Sequence, residues 1–255
     1  MNRINKLFAE QEDPILNIYC TAGFPQIDSL QEVLTALQDN GADMIEIGMP
    51  YSDPIADGPV IQNSNMIALQ NGMTIQKMFD QLRDCRKTIH LPLILMGYLN
   101  PVLQFGFKEF CELAKERGID GIILPDLPIY EYETQYRKHL EENGLHLIFL
   151  ITPETSEERI KKIDALSNGF TYAVSSSATT GGTSDLAKQS VYFQRLKDMN
   201  LSNPLLAGFG ISDKASFNAV TKYTNGGIIG SAYIKALGEG TNITSDTQNF
   251  LAGIR

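Results

Sequence analysis

The stretch DMIEIGMPYSDPIADGPVIQ, from Asp43 to Gln62, passes from a strand pattern into a loop dense in acid, proline and glycine. Its first part alternates. Met44, Glu46 and Gly48 fall on one face and Ile45 and Ile47 on the other, the period-2 signature of a strand. One of the alternating positions is a glutamate flanked by isoleucines. A carboxylate buried there, ionised and unpaired, is strongly unfavourable, and chains tolerate that mainly at functional sites. Pro50, Asp53, Pro54, Asp57, Gly58 and Pro59 follow. A strand that ends in such a loop has the form of an active-site rim.

The same strand-to-helix alternation extends to both sides. Upstream, Ile4, Leu7 and Phe8 mark a short amphipathic helix. Ile15 to Gly23 is a β-rich run, and a helix from Ser29 stops at Gly41. Downstream, two helical segments separated by Asn71-Gly72 lead to Leu91–Tyr98, an apolar run expected of a strand buried on both faces. Helices are expected over Lys108–Arg117, Tyr130–Asn143, Ser156–Ser167, Leu186–Met199 and Asp213–Tyr223, with a last one near Thr247–Ile254. Strands are expected at Gly121–Leu124, Leu145–Ile151, Phe170–Ser175, Pro204–Ala207 and Gly227–Gly230. Strict alternation implies parallel strands joined by crossover helices. Roughly eight units of about 30 residues predict a closed (β/α)₈ TIM barrel. It would carry a short N-terminal helix and an extra helix after strand two. With no break in composition, residues 1–255 read as one domain. The alternative is a doubly wound open sheet, but no G-x-G-x-x-G follows the first strand.

The net charge of -9 argues against general binding to nucleic acid or anionic membranes. It leaves a phosphate ligand open, because backbone N–H groups and helix termini bind phosphate whatever the net charge. The three cysteines show no paired spacing and read as reduced packing residues of a cytoplasmic protein. The three histidines are far apart, without metal-type spacing. No apolar run approaches the ~18 residues of a membrane span.

A barrel places chemistry at the carboxyl ends of its strands. Strand two brings Glu46 inward, with Asp53 and Asp57 in the following loop. Two carboxylates in different settings can hold different pKa values and divide acid and base roles. A structural reading stays open beside this, in which Glu46 pairs with a basic residue and the aspartates cap turns. Strands seven and eight lead into GFGIS (Gly208 to Ser212) and GIIGS (Gly227 to Ser231). Glycines there let a phosphate approach bare backbone N–H groups. The loop after strand six, SSSATTGGTSD, is small and polar, as expected of a lid, and Gly181 could add a donor to the phosphate. Phe170, Tyr172 and Val174 share a face. No Ser/His/Asp set, strand-end lysine or Gly-x-x-x-x-Gly-Lys loop is present. These residues predict metal-free acid/base chemistry on a phosphorylated compound.

Over nearly its whole length the sequence resembles the tryptophan synthase α-subunit family. IEIGMPYSDPIADGPVIQ is the most specific match, supported by MGYLNP (Met96 to Pro101), LPDLP (Leu124 to Pro128), Thr179 to Gly181, GFGIS and GSAYIK (Gly230 to Lys235). The resemblance implies a (β/α)₈ barrel that cleaves indole-3-glycerol phosphate to indole and glyceraldehyde 3-phosphate. It implies an α₂β₂ complex in which indole passes to a β subunit. Pyridoxal phosphate is then expected only in that subunit and no cofactor in this chain. Carried onto these positions, Glu46 is the general acid/base at indole C3 and at the side-chain hydroxyl. Asp57 accepts the indole N–H and stabilises positive charge. Tyr172 helps position Glu46, and Tyr19 and Phe209 line the indole pocket. Gly181, Gly210, Gly230 and Ser231 bind phosphate, Thr180 touches Asp57 when the loop closes, and Pro50 and Asp53 face the β subunit. The chain departs from the family at Ala178, where a glycine is common. That residue restricts positive φ and bears on the loop's mechanics.

Two other function classes share parts of this pattern. An isomerase or epimerase of a sugar phosphate fits the glycine loops equally well, but lacks its His or Lys at the strand ends. A non-catalytic partner that activates another enzyme would not need the Glu46–Asp57 pair.

Overall fold

The computed structural model describes residues 1–175, 183–208 and 210–255, with backbone only over 183–189. Its strands are β1 (Ile15–Thr21), β2 (Met44–Gly48), β3 (Leu93–Met96), β4 (Gly121–Ile123), β5 (His146–Leu147), β6 (Phe149–Ile151), β7 (Thr171–Val174), β8 (Leu205–Gly208) and β9 (Gly226–Ile229). All pair in parallel, in the order β5-β4-β3-β2-β1-β9-β8-β7-β6. The two ends of that order are consecutive in the chain. The segment expected as one strand over Leu145–Ile151 is broken at Ile148. Its first half pairs with β4 and its second with β7, and this closes the sheet into the (β/α)₈ barrel.

Alternation along the strands sorts two apolar layers. Ile15, Met44, Ile94, Ile123, Ile148, Phe170, Tyr172, Leu206 and Ile228 fill the inside, with Val174 packed against them. The face that Phe170, Tyr172 and Val174 share is therefore the inner one. Ile18, Ile45, Ile47, Leu95, Ile122, Ala173 and Ile229 belong to the larger cluster shared with the helices. The N-terminal helix Arg3–Glu10 inserts Ile4, fully buried, into the inner layer. It is tied to residues that just precede strands. Arg3 pairs with buried Asp120 at 2.9 Å, and the Asn2 amide donates to the Asp120 and Gly144 carbonyls. The helix thus plugs the end of the barrel opposite the strand termini that carry chemistry.

Several expected elements changed length or count. Leu91–Tyr98 narrows to β3, because a run buried on both faces gives no periodicity to mark its ends. An unexpected helix, Leu99–Phe105, follows β3, with Pro101 in its first turn, where a missing N–H does no harm. After β2 stand two helices, Pro59–Gln70 and Ile75–Gln81, the second ending earlier than the periodicity implied. Tyr130–Asn143 is helical but contains a π-helical turn over Tyr132–Tyr136. The last helix spans Ile243–Ala252, starting before Thr247 because the Asn242 side chain accepts from Ser245 N and caps it.

Candidate active site

Glu46 sits on the inward face of β2 and is wholly buried. Its Oε1 accepts a 2.6 Å hydrogen bond from Asn17 Nδ2 on β1, and its Oε2 has no partner among the described residues. Among the described residues no cation pairs with it, as a structural ion pair would need. Burial pushes the Glu46 carboxyl from an ordinary 4.5 up to about 8, against the opposing pull of the Asn17 amide. Burial thus favours the protonated carboxyl.

Asp57 has a different setting. The loop after β2 folds back on itself through Asp57 N, which donates to Pro54 O at 3.0 Å. Tyr98, in the loop after β3, donates from its hydroxyl to Asp57 Oδ2 at 2.9 Å and accepts from Ala56 N at 3.0 Å. One phenol thus pins the base of the loop and orients its carboxylate. Burial raises the Asp57 pKa and the Tyr98 hydrogen bond lowers it, so the two effects oppose each other.

Tyr19 and Tyr172 flank this pair on β1 and β7. Burial holds both phenols well above the usual range, aided by the negative charge of Asp57 at Tyr19 and of Glu46 and Asp57 at Tyr172. Both remain neutral donors. Each ring lies against a bare strand glycine, Tyr19 against Gly48 and Tyr172 against Gly208, where a Cβ would collide with the phenol. Glycine at these positions is what lets two large rings enter the mouth of the barrel. Among the described residues Glu46 is hydrogen-bonded by Asn17 and not by Tyr172.

Tyr19, Glu46, Asp57, Tyr172, Gly210, Gly230 and Ser231 line one cavity of about 390 Å³. Val60, Ile61, Met96, Ile211 and Ile228 give it apolar walls. At one side Gly230 precedes the helix Ser231–Glu239 without a side-chain cap, so the first-turn N–H groups remain available to an anion. Gly210 has φ of 76°, a conformation open to glycine and disfavoured for other residues. Lys235 also lines the cavity, from the helix and not from a strand end, with Glu239 at 3.9 Å. A wider hollow of about 810 Å³ lies among outer helices beside Glu157, Arg195 and Tyr223, and it gathers no buried carboxyl group. Among the described residues no group of His, Cys, Asp and Glu is placed to hold a metal ion, and no helix is long and apolar enough to cross a membrane.

Pro50 and Asp53 do not line the cavity. Asp53 is exposed on the rim, next to Ile55, which is 87% exposed. Thr180, Gly181 and Phe209, together with Ala178, lie outside the described residues. Sequence reasoning missed Asn17 and used Tyr98 only as part of a motif. The one signal for Asn17 was a lone amide in an otherwise apolar strand.

A barrel with this cavity at its strand ends agrees with the comparisons to known proteins. The family model described as tryptophan synthase alpha chain matches residues 6–252. This chain belongs to the tryptophan synthase alpha chain family. The tryptophan synthase alpha chain of Phocaeicola vulgatus is 52% identical over 240 residues, covering 94% of this chain and 93% of its relative. That of Flavobacterium psychrophilum is 49% identical over 255 residues, with 100% of each chain covered. A crystal structure of the tryptophan synthase alpha subunit from Legionella pneumophila superposes with a TM-score of 0.90 at 33% identity, covering 100% of this chain and 97% of that one. The function is that of a tryptophan synthase alpha chain: cleavage of indole-3-glycerol phosphate, with the indole passed to a beta subunit.

Proposed function

We propose that Glu46 and Asp57 divide the acid/base work of a carbon–carbon lyase that splits indole-3-glycerol phosphate into indole and glyceraldehyde 3-phosphate. The observation that carries this reading is a wholly buried glutamate, in a setting that favours its protonated form, with one oxygen unpartnered among the described residues and in the same cavity as Asp57. Glu46 gives its proton to indole C3, which makes that carbon tetrahedral and leaves positive charge on the ring nitrogen. Asp57 accepts the N–H and stabilises the charge. The Glu46 carboxylate then takes the proton of the adjacent side-chain hydroxyl. The C–C bond breaks, its electron pair restores the aromatic ring, and the aldehyde leaves. Glu46 ends protonated, as it began.

The remaining roles follow the cavity walls. Gly210, Gly230 and Ser231 hold the phosphate through backbone N–H groups, Ser231 also through its hydroxyl, with Gly181 as a further donor. Tyr19 and Phe209 bound the indole, Tyr172 backs Glu46, and Thr180 meets Asp57 when the strand-six loop closes. No cofactor acts in this chain, pyridoxal phosphate belonging to the β subunit of an α₂β₂ complex. Pro50 and Asp53 face that subunit. The whole chain works as one barrel domain in the cytoplasm.

Indole release from indole-3-glycerol phosphate, assayed with and without β subunit, tests the assignment. Glu46→Gln is expected to fold, to bind the substrate's phosphate and to form almost no indole. Asp57→Ala is expected to slow turnover by more than about tenfold, ~1.4 kcal/mol. Parental turnover in Glu46→Gln would remove the glutamate from the mechanism, and a smaller loss at Asp57 would remove its charge-stabilising role.

A further inference from the structure

Asn17 is wholly buried on β1, in a barrel layer whose neighbours Ile15, Met44 and Ile228 are apolar. In the β1–β2 register it stands opposite Met44, two residues before Tyr19 opposite Glu46, so its amide reaches Glu46 on the diagonal. Nδ2 donates to Glu46 Oε1 at 2.6 Å, and Oδ1 has no hydrogen-bond partner among the described residues. An amide left half-satisfied in an apolar layer is unfavourable, and an aliphatic residue of similar size would fill the space without that penalty. A buried unsatisfied group of this kind calls for a reason.

We propose that Asn17 is the positioning residue of Glu46, fixing Oε1 so that Oε2 is the oxygen that exchanges its proton with the substrate. This rests on the reading of Glu46 as the acid/base group. An amide suits the task because its NH₂ is a neutral donor. It serves Oε1 both while Oε2 holds the proton and after Oε2 has given it up. Each protonation state of Glu46 then keeps a neutral partner, and no charge is added beside it. The other titratable groups around Glu46 are Tyr19 and Cys20 on β1, Tyr172 on β7 and Asp57 in the loop after β2, with Lys235 lining the same cavity. β3 and β9 contribute Met96 and Ile228, which do not titrate.

The test uses the complex with β subunit and three variants, Asn17→Leu, Asn17→Ser and Glu46→Gln, with indole release followed against pH. Asn17→Leu is expected to lower kcat by at least about tenfold while KM stays within about threefold. Its alkaline limb, where the acid Glu46 is lost, is expected to move to higher pH, because the donor that favours the carboxylate is gone. Asn17→Ser keeps a hydroxyl and is expected to regain part of kcat and of the parental limb. Parental kcat in Asn17→Leu, or a parallel change of kcat and KM with an unmoved limb, would overturn the proposal. If Asn17→Leu does not fold, an Asn17→Ser enzyme with lowered kcat, KM within about threefold and a limb moved to higher pH supports it, and one with parental kcat and limb, or with lowered kcat and an unmoved limb, overturns it. An active Glu46→Gln would instead overturn the reading of Glu46, so the two failures are told apart.

Discussion

Glu46 links burial to proton binding in a way that stability measurements can read. In the unfolded chain it titrates near 4.5, and in the folded barrel near 8. Between those pH values the folded state holds one proton more than the unfolded state, so stability falls as pH rises through that window. Glu46→Gln deletes the titration. Relative to the parent, the variant is expected to gain stability in chemical denaturation as pH rises from about 4.5 to about 8, by on the order of 1–4 kcal/mol. A difference that stays flat with pH would mean that the folded protein carries Glu46 ionised throughout. The carboxylates themselves were legible in sequence, because a glutamate in a period-2 apolar strand and an aspartate in a proline-glycine loop are local signals. Their partners were not. Asn17 and Tyr98 reach Glu46 and Asp57 from 29 and 41 residues away, across a strand pair and between two loops. Nothing in the local sequence of either partner records that contact.

At the scale of an element, the loop after β2 has two ends with separate duties. Its base is held at the cavity by Tyr98, through Ala56 N and Asp57 Oδ2. Its tip exposes Asp53 and Ile55. A partner that touches the tip therefore acts on the carboxylate at the base through only a few residues of chain. Asp53→Ala is expected to reduce the rate increase caused by the β subunit by a few-fold, as rim charges do at interfaces, and to leave binding of inorganic phosphate by the isolated chain unchanged. Equal stimulation of parent and variant would remove Asp53 from the interface. Element reading failed where tertiary pairing overrides local pattern. The ends of β3 went unread because an apolar run buried on both faces carries no periodicity to mark them. The helix Leu99–Phe105 went unread because Pro101 reads as a break, whereas in the first helical turn its missing N–H leaves no intrahelical bond unmade. The π-helical turn at Tyr132–Tyr136 leaves no mark on the apolar periodicity that predicted a helix there.

For the molecule as a whole, the eightfold alternation was legible and the manner of closure was not. A parallel barrel follows from strand–helix order, but which strand divides itself between two neighbours depends on shear, a property of the closed sheet. Here the division falls at Ile148. The segment meets β4 only through His146 and Leu147, and β7 only through Phe149, Leu150 and Ile151, whereas β1 and β2 stay in register from Asn17 to Thr21. The seam is the shortest ladder in the cylinder, and it lies away from the β1–β2 pair that carries Asn17, Tyr19 and Glu46. Local opening follows the fewest cooperative hydrogen bonds. In native-state hydrogen exchange the amides of His146 and Ile148 are therefore expected to exchange before those of Tyr19 and Ile47. The barrel would then breathe like a split ring, parting on the side that holds no proton donor for the reaction.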